Sequence, residues 1–218
     1  MKLSDNALSV LKNFASINSG VVLKAGKTQK TISPVKSILV EATLGDDIPN
    51  EFGIYDLNQF LSVITSLKNP ELTFSKDSVV LKDDDNFAVT YRGCSSNLII
   101  TPPEKELVLK DITTKFSLAN ATSQKLIKVA SMINLPNLSV IGKGGELLLK
   151  IHEKANDTSN DGVQKIGEYA GKDFSATFKT ENLKLLPDDY NVEVQADAFA
   201  KFTNQNNNLT YFIALETK

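Results

Sequence analysis

The sequence predicts an α+β fold built twice over from antiparallel sheets and a few short helices, and three observations predict it. Short runs of β-forming residues bounded by turn chemistry recur along all 218 residues. Four segments break that rhythm with the spacing of an amphipathic helix. The phrase "LKNFASIN" at Leu11–Asn18 also returns as "IKVASMIN" at Ile127–Asn134, 116 residues on, with lysine second and Ile-Asn last each time. The length suits two domains of about 100 residues each.

The first half reads as strands at "GVVLKA", "KSILVEA", "ELTFS", "SVVLKD", "FAVTYRG" and "NLIIT". Asn69-Pro70 and Asp83-Asp84-Asp85-Asn86 supply turns between several of them. After Pro102-Pro103 the pattern restarts with "KFSLA", "LSVIG", "ELLLKIHE", "VQKIGEYA", "DFSATFK", "NVEVQA", "FAKFT" and "LTYFIALE". The expected organisation is a domain at 1–104, a connector at 105–111 and a second domain at 112–218. The polar stretch "EKANDTSNDG" reads as a long hairpin loop.

Helices are expected at Asn6–Asn18, Asp56–Lys68, Ser123–Asn134 and Thr180–Leu186, the last ended by Pro187. Leu8, Leu11, Phe14, Ala15 and Ile17 share one face of the first, with Ser4 or Asp5 as N-cap. Leu57, Phe60, Leu61, Ile64 and Leu67 do so in the second, capped by Asp56. Leu126, Ile127, Ala130 and Ile133 do so in the third.

The opposite faces are short of acid. Windows 6–18, 57–68, 123–134 and 182–186 hold no Asp or Glu, where the chain's 26 acids would place about five. Asp5, Asp56 and Glu181 stand just outside, where a helix dipole favours them. Solvent-facing helices ordinarily mix signs, because Glu–Lys pairs a turn apart stabilise them. Lys12, Asn13, Lys68, Lys125, Lys128 and Lys184 therefore become candidates for one polyanionic partner. Four independently solvated faces is the competing reading.

Bulk composition narrows the partner. Net charge is −2, so any electrostatic partner must meet segregated charge. Arg92 is the only arginine among 24 basic residues. That argues against guanine-edge readout by bidentate forks, or else reflects an AT-rich coding sequence. Cys94 is the single cysteine, which points to a reducing, cytosolic setting without intrachain disulfides. In that setting Asn120-Ala-Thr122 carries no glycosylation argument. No apolar run approaches the roughly 18 residues of a membrane span, and "MKLSDNALSV" lacks a signal-peptide core, so no membrane partner is expected.

Several catalytic readings fail on spacing. Gly20 and Gly26-Lys27-Thr28 stand one residue too far apart for a phosphate loop, and "AGKT" reads as a hairpin turn. Asp83-Asp84-Asp85 reads as a solvated turn, without the glycine and distal glutamate of a calcium loop. His152 is the sole histidine, which removes His-Cys zinc sites and most Ser-His nucleophile systems; it reads as a sheet-surface or interface residue. A hydrolase built on carboxylates would need a deep cleft, and the lack of tryptophan leaves it few sugar-stacking platforms. No cofactor, metal or catalytic residue is expected.

"MKLS", "LKNFASINSG", "IYDLNQFL" and the terminal "FIALE" resemble the sliding clamps, or DNA polymerase processivity factors, of T4-like bacteriophages. "NLKLLPDDYNVEV" resembles the second-helix-to-strand passage found in clamps more widely. The likeness spans almost the whole chain, strongest in the first 60 residues and at the C-terminus and thin through 70–120. It implies a clamp-type fold: two similar domains, sheets outside and two helices inside each, and a closed homotrimeric ring with acid concentrated on its outer surface. It further implies double-stranded DNA as a sequence-independent partner, a replicative polymerase to tether, a separate ATP-driven clamp loader, and the cytoplasm of an infected bacterium. Lys12 falls on the family's lysine in "LKNFA". Clamps also dock partner peptides near the connector, which nominates Leu107, Val108 and Leu109 with Tyr211, Phe212 and Ile213. The rival class is a β-rich virion or structural assembly protein with no DNA role.

Overall fold

Where apolar residues alternate the chain forms antiparallel ladders, and where they recur every third or fourth position it coils. The computed structural model describes residues 1–156, 158–206 and 208–216, and the chain divides into two compact units, Met1–Lys105 and Glu106–Lys218.

In the first unit, α1 (Asp5–Ile17) starts at Ser4, whose hydroxyl accepts the Ala7 N–H at 3.2 Å and donates to Asp46 at 2.7 Å. The helix buries Ala7, Val10, Leu11, Phe14, Ala15 and Ile17. It packs on β3 (Ile38–Ile48) and on α2 (Leu57–Ser66). The Asp56 carboxylate caps α2 by accepting the Gln59 N–H at 2.9 Å. Strand β1 (Val21–Leu23) pairs with β4 (Phe52–Ile54), and β2 (Gly26–Ile32) pairs with β3. Strands β5 (Glu71–Phe74), β6 (Ser78–Lys82) and β7 (Ala88–Arg92) make a three-stranded sheet.

Two expectations for this unit are corrected. "AGKT" is a corner, because β1 and β2 pair with different strands. Gly26 turns it at φ +99°, a conformation that costs glycine little. The buried Gln29 amide then staples the corner, accepting Lys24 N–H at 2.8 Å and donating to the Lys24 and Gly26 carbonyls. "NLIIT" is not a strand: Ser96–Leu98 forms a 3₁₀ turn, and the Ile100 carbonyl is taken by the Asn18 side chain at 3.1 Å. The three aspartates do lie in a turn, between β6 and β7. There the Asp83 carboxylate accepts the N–H groups of Asp85 and Phe87 at 2.9 Å, and Asn86 takes φ +66°.

The second unit holds β8 (Thr114–Leu118), α3 (Asn120–Met132), β9 (Asn137–Lys143), β10 (Glu146–His152), β11 (Gly162–Glu168), β12 (Phe174–Lys179), β13 (Tyr190–Gln195), β14 (Phe199–Asn204) and β15 (Leu209–Ala214). Its antiparallel sheets run in the order β11-β10-β9-β12 and β15-β14-β13-β8. The polar stretch from Glu153 links β10 to β11, with Asp157 outside the described residues. Helix α3 begins three residues before the expected Ser123. The Asp189 carboxylate accepts the Asn120 N–H at 2.7 Å, a cap supplied from far along the chain.

The fourth helix is corrected to a single 3₁₀ turn at Thr180–Asn182. Pro187 disfavours helical geometry at Leu186, and two tyrosines supply what helical bonds would have supplied. Leu186 N–H donates to the Tyr211 hydroxyl at 3.1 Å, and the Tyr190 hydroxyl donates to the Leu186 carbonyl at 2.7 Å. Both rings are fully buried, 5.9 Å apart and edge to face. Burial pushes the Tyr211 phenol up to about 12 and the Tyr190 phenol higher still.

Candidate nucleic-acid interface

Each helix buries one face and leaves a polar one. On α1 the exposed stripe is Ser9, Lys12 and Ser16, with Asn13 half-buried at its edge. On α2 it is Asn58, Gln59, Ser62, Thr65 and Ser66, and Lys68 stands exposed two residues past the helix. On α3 it is Gln124, Lys125, Lys128 and Ser131. Lys184 is exposed on the segment after the 3₁₀ turn, beside the buried Leu183, which lines a small apolar cavity together with Leu126 and Ile127 of α3.

Four of the hydroxyls on these faces are already occupied. Ser16 donates to the Asn13 carbonyl at 2.7 Å, Ser62 to Asn58 at 2.8 Å, Thr65 to Leu61 at 3.0 Å and Ser66 to Val63 at 2.8 Å. Their protons point back into the helix, so these side chains offer a visitor only lone pairs, which suits water-bridged contact to a phosphate. Helices α2 and α3 contain no acid, and α1 has only Asp5 in its first turn.

Several lysines on strands are paired: Lys30 with Glu41 at 2.9 Å, Lys115 with Glu193 at 2.5 Å, Lys150 with Asp161 at 2.7 Å, and Lys165 with both Glu168 and Glu146. Lys27, Lys82, Lys143 and Lys201, also on strands, make no salt bridge among the described residues. Among the described residues, Lys12, Lys68, Lys125 and Lys128 make no salt bridge. An ammonium group left without a protein carboxylate on an acid-free helix is a point charge available to a phosphate, whatever the base sequence.

The residues nominated for a partner peptide divide. Leu107 and Val108 are exposed and Leu109 is half-buried. Tyr211 and Ile213 are corrected: both are fully buried in the sheet core, because alternate residues of β15 point inward. Phe212 faces the other way, half-exposed and 6.0 Å from Phe199, edge to face. The second unit also holds a cavity of about 340 Å³ that sequence reading missed, lined in part by Lys154, Thr177, Ala196, Asp197, Leu215 and Glu216. Its walls are β12, the β13–β14 turn and the residues after β15, brought together by folding. The Leu215 N–H bonds the Ala198 carbonyl at 3.0 Å and the Glu216 N–H bonds Thr177 at 2.8 Å. Only the quoted "FIALE" pointed near it. Behind Thr177, Ser139 bridges to Thr177 Oγ1 and His152 Nε2 at 2.8 Å each, so the half-buried His152 at the end of β10 is held in a polar chain that runs into the sheet. Burial lowers its pKa.

Two units of antiparallel sheet, each with polar, acid-free helical faces, define a DNA clamp fold. The comparisons agree. Residues 4–101 match the family model described as DNA polymerase processivity factor. The whole chain is similar to the sliding clamp of Vibrio phage KVP40, 29% identical over 221 residues that cover 99% of each chain. It is similar also to that of Enterobacteria phage T4, 26% identical over 99% of this chain and 97% of the other. Among solved structures, the PCNA2–PCNA3 complex from Sulfolobus tokodaii matches with a TM-score of 0.72 over 100% of both chains at 13% identity, a likeness of fold. The first unit thus matches the processivity-factor family model, and the whole chain is similar to the sliding clamps of these phages. The assembly-protein alternative is not favoured. Among the described residues, no helix is long and apolar enough to cross a membrane.

Proposed function

We propose that this clamp closes as a homotrimer around double-stranded DNA and tethers a replicative polymerase without catalysing any reaction. The observation that carries the reading is that Lys12, Lys68, Lys125 and Lys128 stand exposed on or beside the acid-poor polar faces of α1, α2 and α3, in no salt bridge among the described residues. A ring that travels cannot hold base-specific bonds, since each of about 1–3 kcal/mol would have to break at every step. Flexible ammonium groups meeting phosphates through water avoid that barrier, and retention comes from topology. Lys12, Asn13 and Lys68 serve from the first domain, Lys125, Lys128 and Lys184 from the second, and residues 105–111 connect the two.

Self-assembly draws support from unpaired strand edges, since among the described residues β7 in the first unit and β11 in the second each have a neighbour on one side only. A partner's tail docks on the second unit, over Leu107, Val108, Leu109 and Phe212 and into the cavity walled by Ala196 and Leu215. An ATP-driven loader opens the ring, in the cytoplasm of the infected host. Native mass measurement tests the ring, with a species near three times 23.8 kDa expected. Primer extension with loader present tests the lysines: Lys12→Glu with Lys128→Glu shortens the products. A strict monomer at high concentration, or unchanged product length, overturns the corresponding half of the proposal.

A further inference from the structure

The first unit carries a groove beside the outer edge of β2, a strand paired on one side with β3. Ser33 N–H bonds the Ile38 carbonyl at 2.8 Å, so in the β2–β3 ladder Ser33, Thr31 and Gln29 turn their backbone groups toward β3. Ile32, Lys30 and Thr28 therefore turn theirs away. The Ile32 carbonyl follows this rule and accepts the Asn18 amide at 2.9 Å. Beyond it, the outward N–H and C=O groups of Lys30 and Thr28 have no hydrogen-bond partner among the described residues.

They face a groove of about 350 Å³. Its far wall is the segment Ile100–Glu104, which cannot close onto β2 as a strand, because Pro102 and Pro103 have no N–H to donate. Asn18 pins the two walls at one end, donating to Ile32 on one side and to Ile100 on the other. Val21, Val22 and the exposed Ile100 give the groove an apolar side.

Charge selects the occupant. Residues 6–40 contain no Asp or Glu, and Lys24, Lys27, Lys30 and Lys36 lie in or near β2. Lys24 and Lys30 line the groove and hold Glu51 and Glu41 in half-exposed pairs, of the weak kind that re-partners readily. Glu104 is the one acid in the lining. We propose that the groove beside β2 receives an extended, acidic peptide segment of a replication partner as an added strand, its main chain pairing with Thr28 and Lys30. This rests on the clamp reading for the identity of the partner, and the site is separate from the cavity of the second unit.

Hydrogen exchange on the intact ring tests it, with purified cognate polymerase and clamp loader added separately as probes. The Thr28 and Lys30 amides exchange freely in the ring alone, and at least one protein slows them about tenfold or more. Thr28→Pro removes an outward N–H without touching the β2–β3 ladder, and it weakens binding of that protein by about tenfold. A ring that stays trimeric and supports primer extension while both amides exchange as before with either protein overturns the groove and leaves the clamp reading standing. Slowing produced by a short DNA duplex and by neither protein also overturns it.

Discussion

Replacing Asn18 with alanine removes three bonds that no neighbour can replace. The Nδ2 group donates to Ile32 at 2.9 Å and to Ile100 at 3.1 Å, and Oδ1 accepts the Gly20 N–H at 3.2 Å. Asn18 is 6% exposed, so the groups it abandons at Ile32 and Gly20 are shielded from water, while Ile100 is partly open. Two orphaned buried groups at about 1 kcal/mol or more each, with a smaller loss at Ile100, give a destabilisation of about 3 kcal/mol. Urea unfolding followed by circular dichroism measures it. The repeat supplies the control, since the matching Asn134 is exposed, takes φ +54° and makes no side-chain hydrogen bond among the described residues. Asn134→Gly keeps that left-handed turn and changes stability by less than about 0.5 kcal/mol. Asn18→Asp does worse than Asn18→Ala, because it aims a carboxylate at two carbonyls. An Asn18→Ala cost below about 0.5 kcal/mol, or an aspartate variant more stable than the alanine one, refutes the reasoning.

The remaining expectations are shorter. If Lys12 neutralises one phosphate, Lys12→Gln lowers the slope of log K against log salt by about 0.9 per phosphate lost, read by DNA binding at several salt concentrations. Burial, with Lys150 nearby, holds His152 below its ordinary pKa of about 6.5, so the unfolded chain takes up that proton more readily than the folded one. The resulting stability is present above pH 6.5 and is lost as the pH falls through the folded value. His152→Gln therefore narrows the stability gap between pH 7 and pH 5. Tyr211→Phe leaves the Leu186 N–H without its acceptor and costs about 1–3 kcal/mol by urea unfolding.

The parts of the fold legible in the sequence are those set by local periodicity. Spacing located α1, α2 and most strands, and Ser4 and Asp56 cap as their chemistry implies. What stayed hidden is what distant residues decide. The start of α3 depends on Asp189, and the extended path at Leu186 on two tyrosines from other strands. The letter-for-letter match of Ile-Asn at 17–18 and 133–134 conceals unlike ends, one an extended strut and the other a left-handed turn. The candidate lysines were legible because a missing acid leaves a mark on composition. The lining of the second unit's cavity was not, since Ala196 and Leu215 meet only after β13, β14 and β15 pair.

Lys125 and Lys128 sit a turn apart on α3 with nothing negative to separate them, so in the free protein they repel one another. Added electrolyte relaxes that strain in the empty molecule even as it dilutes the pull of a phosphate chain. The same ions that loosen the hold thus leave the idle protein slightly calmer, and sensitivity to salt belongs to what it does more than to whether it stays folded.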